Sequence, residues 1–226
     1  MTSRAFQERL QKRARKAGVA VTPQLGAQLE QYFSLLARWN AKINLTAFNL
    51  REPRDDAFDR LLVEPLVASQ HVQPGPSSVV DIGSGSGSPA IPLRLAAPQL
   101  RLTMVEAKTR KAVFLLEALR HLSIADASVE TARFEQLLTR PELHEAFDLL
   151  TIRAVRVEAA TLLTLQAFLK PGGQLLWFQG AGREISPALL AFPLVLTREV
   201  PLVEALGSRL VILTKQRHGG GGGTGG

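Results

Sequence analysis

Three glycines at alternate positions form the segment that most constrains the fold of this chain. Gly83, Gly85 and Gly87 follow a short apolar segment at 78–82 and precede a helical stretch at 89–97. Glycine lets the backbone turn sharply and lets a ligand approach the main chain closely. A strand, a glycine-rich turn and a helix in this order predict an α/β fold with a ligand bound at the turn.

The segments that follow the turn alternate between strand and helix. Apolar strands are predicted at 78–82, 100–105, 127–131, 147–152 and 174–179, with helices between them at 89–97, 108–121, 133–139 and 156–169. This alternation predicts a parallel sheet with helices on both faces and right-handed crossovers. Two final strands, at 192–200 and 209–215, would add an antiparallel edge and bring the sheet to seven strands.

The chain divides into three predicted regions. Residues 1–72 are predicted to form a small helical extension, residues 73–217 the α/β core, and residues 218–226 a disordered tail. Within the extension, Thr22-Pro23 has the pattern of a helix N-cap followed by proline at the first helical position, and another helix is predicted at about 55–70. The tail is almost entirely glycine and cannot bury enough surface to offset the entropy lost on ordering it.

The charge of the chain favours a polyanionic partner. The formal net charge is +7, and excess positive charge of this kind attracts nucleic acid. A basic amphipathic helix that contacts phosphate is predicted at 5–17, and the cations near it are Arg4, Arg9, Lys12, Arg13, Arg15 and Lys16. The alternative is an ordinary solvated helix face whose charge serves solubility alone.

Several classes of protein are disfavoured by composition. The chain has no cysteine, which excludes disulfides, thiolate metal ligands and a cysteine nucleophile within it. The four histidines lie at no ligand spacing, so no metal site is predicted. No apolar run approaches the roughly 20 residues that span a bilayer, and the basic N-terminus lacks the apolar core of a secretory signal. A cytoplasmic location without membrane contact is therefore predicted.

The spacing of the turn and the acid before it distinguish among possible ligands. Dinucleotide enzymes use GxGxxG to hold a pyrophosphate at a helix N-terminus, whereas this turn reads GxGxG. Asp81, just before the glycines, would repel a pyrophosphate but suits a ligand that carries an ammonium and a sulfonium. S-adenosylmethionine (SAM) is therefore the predicted cofactor, and a nicotinamide-dependent oxidoreductase is the disfavoured alternative.

Further signals lie at the ends of later strands. Glu106 ends the second predicted strand, where a carboxylate accepts hydrogen bonds from ribose hydroxyls, unless it is merely a solvated strand-end acid. Phe134 and Glu135 follow the third strand and would either flank an adenine or pack at the start of a helix. A Pro-Gly-Gly turn at 171–173 before the fifth strand is a landmark of class I SAM-dependent methyltransferases.

Four segments in the same order resemble one enzyme family. They are RWNAKINLT at 38–46, DIGSGSGSPAIPL at 81–93, EAKTRKAVFL at 106–115 and IRA at 152–154. Together they resemble the bacterial RsmG (GidB) family over about residues 20–216. The resemblance implies a class I SAM-dependent methyltransferase with a Rossmann-like sheet, and a monomer is expected by default. It also implies that the substrate is N7 of a guanine in 16S ribosomal RNA or in a small-subunit precursor.

The resemblance implies roles for particular residues. Cofactor positions of the family fall on Gly83, Ser88, Phe134, Glu135 and Arg153. The turn adds Asp81, Gly85 and Gly87, and the second strand adds Glu106. Positions that face the RNA are expected at Lys42, Asn44, Arg110 and Lys111. Arg153 is the predicted catalytic residue, as a donor to guanine O6 that leaves N7 free to react.

The chain also departs from the family pattern. The His and Asp that the family carries in the helix before the first strand are Leu61 and Glu64 here, and the Lys after its fifth strand is Gln179. A Leu or Phe and a Gly of the turn are Ser88 and Ala90. These departures leave two alternatives open: a SAM-dependent methyltransferase with another substrate, and a SAM- or RNA-binding protein without turnover.

Overall fold

A seven-stranded sheet forms the centre of the protein in the computed structural model, which describes residues 1–75, 77–153, 158–182 and 193–217. The strands are β1 Ser77–Ile82, β2 Leu100–Val105, β3 Ala127–Glu130, β4 Phe147–Arg153, β5 Leu169–Gln179, β6 Leu194–Val203 and β7 Ser208–Lys215. Their order is β3-β2-β1-β4-β5-β7-β6. Strands β1 to β5 are parallel, and β7 is antiparallel to both β5 and β6. The predicted mostly parallel sheet with an antiparallel edge is confirmed.

The start of β5 differs from its predicted position. The Pro-Gly-Gly sequence predicts a turn before a strand at 174, but β5 begins at Leu169 and its pairing with β4 resumes at Gln174. The residues between Leu169 and Gln174 form a bulge in the strand. The bulge brings the backbone close to itself at Gly173, where a Cβ would lie 2.9 Å from the carbonyl oxygen of Lys170. Proline and glycine indicate a turn locally, whereas the pairing that extends the strand is made with a distant segment.

The described helices lie where the sequence pattern predicts them. They are α1 Ser3–Lys16, α2 Pro23–Ile43, α3 Asp55–Phe58, α4 Glu64–Ser69, α5 Ala90–Ala96, α6 Thr109–His121, α7 Phe134–Leu137 and α8 Ala159–Leu165. A π-helical turn at Asp59–Val63 joins α3 to α4, so the helix predicted at 55–70 is one continuous run. The helix predicted at 156–169 is shorter in its described part, since a 3-10 turn at Gln166–Phe168 follows α8.

Side chains of the central strands alternate between two hydrophobic cores. Val79 belongs to the core on one face of the sheet and Val80 to the core on the other, as the period of two in a strand requires. The N-terminal helices pack on the first face, where the rings of Phe6, Phe33 and Phe58 lie 5.1–5.6 Å apart. The extension therefore shares its core with the sheet.

Two cations of α1 face acids of the same chain. Arg9 lies 2.6 Å from a carboxylate oxygen of Asp55, and Arg13 pairs with both Asp55 and the buried Asp59. The part of α1 predicted to contact phosphate is therefore smaller than the sequence suggested, because these guanidinium groups fasten α1 to the helical run of α3. The predicted disordered tail, 218–226, lies outside the described residues. In the described ranges, no helix combines the length and the apolar character that crossing a bilayer requires.

Candidate active site

A cleft of about 520 Å³ opens at the carboxyl ends of β1, β4 and β5. The loop after β1, the last residue of β4 and the last residues of β5 all line it. Strand order reverses between β1 and β4, and ligands of open α/β sheets bind at such a switch point. The fold alone therefore places the candidate site here.

Two walls of the cleft have different compositions. The glycine wall is the loop 83–87, made of glycine and serine, of which residues 83–86 line the cleft. The arginine wall comprises Arg60, Arg153, Trp177, Phe178, Gln179 and Gly180. The rest of the lining consists of Leu61, Ser88, Lys111 of α6 and the segment 45–48, which follows α2.

The glycine wall has a backbone that most residues cannot adopt. The φ angles of Gly83, Gly85 and Gly87 are 74°, 50° and 82°, in the left-handed region that disfavours side chains. A Cβ on Gly87 would also lie 2.6 Å from Cδ1 of Ile91 in α5. The sequence spacing of the glycines thus reflects both the shape of the loop and its contact with the next helix.

Glu106 holds the glycine wall from the end of β2. One of its carboxylate oxygens accepts a hydrogen bond of 2.9 Å from the N–H of Gly85, and the other accepts one of 2.8 Å from the N–H of Lys108. The carboxylate is buried beside the loop. Each oxygen has two lone pairs, so both can still accept a bond from a ribose hydroxyl.

Asp81 lies beneath the loop with an oxygen that has no partner. Its side chain is 1% exposed, and Oδ1 accepts a hydrogen bond of 2.5 Å from the Thr151 hydroxyl. Oδ2 is buried without a hydrogen bond among the described residues. Burial raises the pKa of Asp81, while hydrogen bonds and the charge of Arg153 oppose that rise. A buried carboxylate with a free oxygen fits a cationic ligand, which agrees with the ammonium and sulfonium of SAM.

Arg153 is held in place by several contacts at the end of β4. Its Nη1 donates hydrogen bonds to the carbonyl oxygen of Arg60 and to the Ser88 hydroxyl. Its Nη2 lies 3.0 Å from Glu64 Oε2, and its guanidinium lies 4.5 Å from the ring centroid of Phe178. Nε and Nη2 have no hydrogen-bond partner among the described residues. Burial lowers the pKa of Arg153 and the charge of Glu64 opposes this.

The carboxylate of Glu64 forms salt bridges with two arginines. It has no exposed surface, and it lies 3.1 Å from Arg60 in addition to its contact with Arg153. Gln179, the neighbour of this group on β5, is also buried and accepts a hydrogen bond of 3.0 Å from Arg209. Where the family has an Asp, this chain keeps an acid, and where the family has a Lys, it has an amide beside an arginine.

The predicted site residues fall into three groups. Gly83, Gly85, Ser88, Lys111 and Arg153 line the cleft, while Asp81, Gly87 and Glu106 lie at the base or the flanks of the glycine wall. Ser88 is buried, and its hydroxyl donates to the Leu61 carbonyl oxygen as well as accepting from Arg153. Its side chain is therefore occupied by contacts within the protein.

The remaining predicted residues lie outside the cleft lining. Phe134 is partly buried at the start of α7 and packs against the second core, and Glu135 is exposed. Lys42 and Arg110 are exposed on α2 and α6. Asn44 ends α2 in the left-handed conformation, with φ at 46°, which asparagine tolerates better than most residues. The roles of these residues in binding adenine or RNA stay predictions.

Asn40 is a site residue that the sequence pattern did not single out. Its Oδ1 accepts a hydrogen bond of 2.9 Å from the N–H of Thr46, and its Nδ2 donates to the carbonyl oxygen of Phe48. These bonds fold the segment 45–48 against the end of α2, where it lines the cleft. The signal available in the sequence was the position of Asn40 inside the segment RWNAKINLT. No group of three or more metal-ligating side chains is found in the described parts of the chain.

Comparisons with known proteins identify relatives of this chain. The family model described as rRNA small subunit methyltransferase G (GidB) matches residues 26–191. A protein of Xanthomonas euvesicatoria pv. vesicatoria named Ribosomal RNA small subunit methyltransferase G is 39% identical over 158 residues, which cover 68% of each chain. A protein of the same name from Leuconostoc mesenteroides subsp. mesenteroides is 33% identical over 185 residues, covering 80% of this chain and 74% of that one.

A solved structure shares the fold. The crystal structure of a SAM-dependent methyltransferase from Aquifex aeolicus has a TM-score of 0.53 at 12% identity, and the match covers 70% of this chain and 92% of that one. The predicted class I methyltransferase architecture is thereby confirmed. On the match of the family model and the identity to its named members, this chain belongs to the rRNA small subunit methyltransferase G (GidB) family.

Proposed function

We propose that this protein transfers a methyl group from SAM to N7 of a guanine in 16S ribosomal RNA. The observation that carries the proposal is that the glycine wall and Arg153 open into one cleft, in a chain whose family is named for methylation of small-subunit rRNA. A site for the methyl donor and a hydrogen-bond donor for the base would thus lie within one cavity. Both are required for a direct transfer.

Residues around the glycine wall would hold SAM. Glu106 would accept the ribose hydroxyls, since both of its oxygens keep acceptor capacity beside the loop. Asp81, with one buried oxygen unpaired, would offset the positive charge of the ligand. Phe134 and Glu135, at the tip of β3, are proposed to flank the adenine. When bound, SAM supplies a methyl group that is already activated on a sulfonium.

The arginine wall would orient the guanine. Arg153 lines the cleft, and its guanidinium would donate a hydrogen bond to guanine O6. Its contacts to Arg60, Ser88 and Glu64 hold the guanidinium still. Guanine N7 carries a lone pair and no proton, so the reaction requires no general base. What remains for the protein is alignment and the exclusion of water, which Phe48, Trp177 and Phe178 favour by lining the cleft.

Cations of α2 and α6 would hold the RNA backbone. The ring centroids of Trp39 in α2 and Phe114 in α6 lie 5.8 Å apart, so the two helices pack against each other. The exposed Lys42 and Arg110 lie on these helices, and Lys111 continues from them into the cleft. Contacts from such cations to phosphate make binding depend on salt concentration. A loop guanine is the expected target, because proteins read RNA bases mainly where they are unstacked.

The proposal is tested by methylating 16S rRNA and small-subunit particles from a strain that lacks the corresponding gene. The purified protein and SAM with an isotopically labelled methyl group are expected to place label on N7 of one guanine, as found by mass spectrometry of the digested RNA. Label on another atom or another molecule would contradict the substrate. Calorimetry that finds SAM binding without any transfer would support a binding protein without turnover, and binding of a nicotinamide dinucleotide in place of SAM would overturn the proposal.

A further inference from the structure

A tyrosine of the helical extension forms a hydrogen bond with the backbone of the glycine wall. Tyr32 lies on α2, has no exposed surface and is the only tyrosine of the chain. Its hydroxyl donates a hydrogen bond of 2.8 Å to the carbonyl oxygen of Ser86. Burial raises the pKa of Tyr32, so the hydroxyl keeps its proton and stays a donor at physiological pH.

This bond fixes one peptide group of the loop at both ends. The peptide that joins Ser86 to Gly87 has its oxygen bonded to Tyr32 and its N–H bonded at 2.7 Å to the carbonyl oxygen of Ser84. A peptide group is planar, so two such bonds determine its orientation. The orientation of this group sets the direction of the chain as it leaves the glycine wall for α5.

The two halves of the loop are anchored by different parts of the protein. The N–H groups of Gly83 and Ser84 donate to the carbonyl oxygen of Val105, at 2.9 and 3.1 Å, so the first half is anchored to β2. The second half, at Ser86, is anchored to α2 through Tyr32. The helical extension therefore anchors the loop at Ser86, whereas β2 and the acid that follows it anchor the loop at Gly83, Ser84 and Gly85.

We propose that Tyr32 is a positioning residue that holds the loop 84–87 in the shape that receives SAM. The helical extension is then a structural part of the cofactor site as well as a neighbour of the RNA. This inference deepens the proposed function, since its affinity measurement rests on SAM as the ligand. Its effect on the shape of the loop does not depend on SAM.

The test is the substitution Tyr32→Phe, which keeps the ring and removes the hydroxyl. The Ser86 carbonyl loses its partner, and loss of a hydrogen bond of this kind weakens binding about three- to tenfold where binding needs the bonded shape. We expect the dissociation constant for SAM and the KM for SAM to rise by this factor. The kcat at saturating SAM and the KM for RNA are expected to stay within twofold of the wild type. Amide hydrogen exchange of the free protein is expected to accelerate in peptides that cover the loop.

Phe33→Leu is the matched control for general loss of stability. Phe33 is the next residue of α2, and its ring packs against Phe6 and Phe58 rather than against the loop. The control is expected to lower the melting temperature at least as much as Tyr32→Phe while leaving SAM affinity and loop exchange unchanged. Equal weakening of SAM binding by both variants would overturn the proposal.

The two readouts separate this proposal from the proposed function. Unchanged loop exchange in Tyr32→Phe would show that the hydroxyl does not position the loop, whatever the ligand. If the wild-type protein bound no SAM, the proposed function would fail. Loop exchange of the free proteins would still decide the role of Tyr32.

Discussion

The two walls of the cleft are built in different ways. The glycine wall consists of consecutive residues, and its first half is held by main-chain bonds to Val105. The arginine wall is assembled from side chains of distant segments, with Arg60 and Glu64 from the extension, Arg153 from β4 and Phe178 from β5. One wall follows from local sequence, whereas the other exists only when these segments pack together. The departures from the family pattern at 61 and 179 fall on or beside the second wall.

The largest expected effect comes from a methyl group added to the glycine wall. In Gly87→Ala the new Cβ would meet Ile91 at 2.6 Å and Leu115 at 3.3 Å, at a φ of +82°. Overpacking and left-handed strain together cost about 2–4 kcal/mol. We expect SAM binding, measured by calorimetry, to weaken at least about thirtyfold.

Gly18→Ala is the control for backbone strain alone. Its φ is +74° and no atom lies within 4 Å of the added Cβ. It should lower the melting temperature slightly and leave SAM affinity unchanged. Equal SAM affinity in the Gly87 variant and the wild type would show that the glycine wall does not bind the cofactor.

The next effect tests whether the arginine wall serves the substrate alone. In Glu64→Ala, Arg60 and Arg153 lose a counter-charge that has no exposed surface, and breaking a buried pair costs about 3–5 kcal/mol. Misplacement of a positioning group lowers the rate about a hundredfold. We therefore expect kcat for methyl transfer to fall about a hundredfold while the dissociation constant for SAM changes less than twofold.

The control for Glu64→Ala is the substitution of an exposed acid that also pairs with an arginine. Glu117→Ala removes an exposed pair with Arg120, and such pairs contribute little to stability. Neither kcat nor SAM affinity should change in this variant. A large loss of SAM affinity in Glu64→Ala would mean that the two walls do not act separately.

The buried carboxyl group of Asp81 makes the stability of the folded protein depend on pH. Because burial raises its pKa, the folded state favours the protonated form, and the stability that this proton gives is lost as pH rises through the folded pKa. At pH 7, which lies above the ordinary pKa of a carboxyl group, the free protein therefore bears a free-energy cost for burying this group. In Asp81→Asn that cost is absent, so the melting temperature without ligand is expected to rise by about 2–4 °C, as ~1 kcal/mol gives in a chain of this size.

The same substitution is expected to weaken SAM binding. The amide that replaces the carboxylate would offer no charge to a cationic ligand, and a tenfold loss corresponds to about 1.4 kcal/mol. Melting curves from pH 4 to pH 8 should show the gain of Asp81→Asn shrinking as the pH falls. A variant that is less stable than the wild type at pH 7 would contradict the assigned cost of the carboxylate.

The smallest effects concern cations outside both walls. Lys42→Ala and Arg110→Ala each remove an exposed charge, so each should reduce the slope of RNA affinity against salt concentration by about one phosphate contact. SAM affinity should not change. Arg15→Ala, an exposed charge on α1, is the control and should leave the slope unaltered. An effect of Arg15 as large as that of Lys42 would extend the RNA surface to α1.

Local patterns predicted the framework because they depend on neighbouring residues. Thr22 caps α2 as its sequence suggested, with its hydroxyl accepting a hydrogen bond from Leu25 N–H, and the mostly parallel sheet follows from the alternation of strands and helices. The sequence overstated the number of α1 cations available for phosphate, since Arg9 and Arg13 meet Asp55 and Asp59 only after the helices pack.

The sequence by itself determined the alternation of strands and helices, the glycine-rich loop after β1 and the acid that follows β2, because backbone conformation and hydrophobic period are local properties. Only the tertiary structure decided that Glu64 would face Arg153, that Tyr32 would support the loop and that one oxygen of Asp81 would lack a partner among the described residues. These are contacts between segments far apart in the chain. Their energies depend on how deeply each group is buried, and burial is defined only once the segments are packed together.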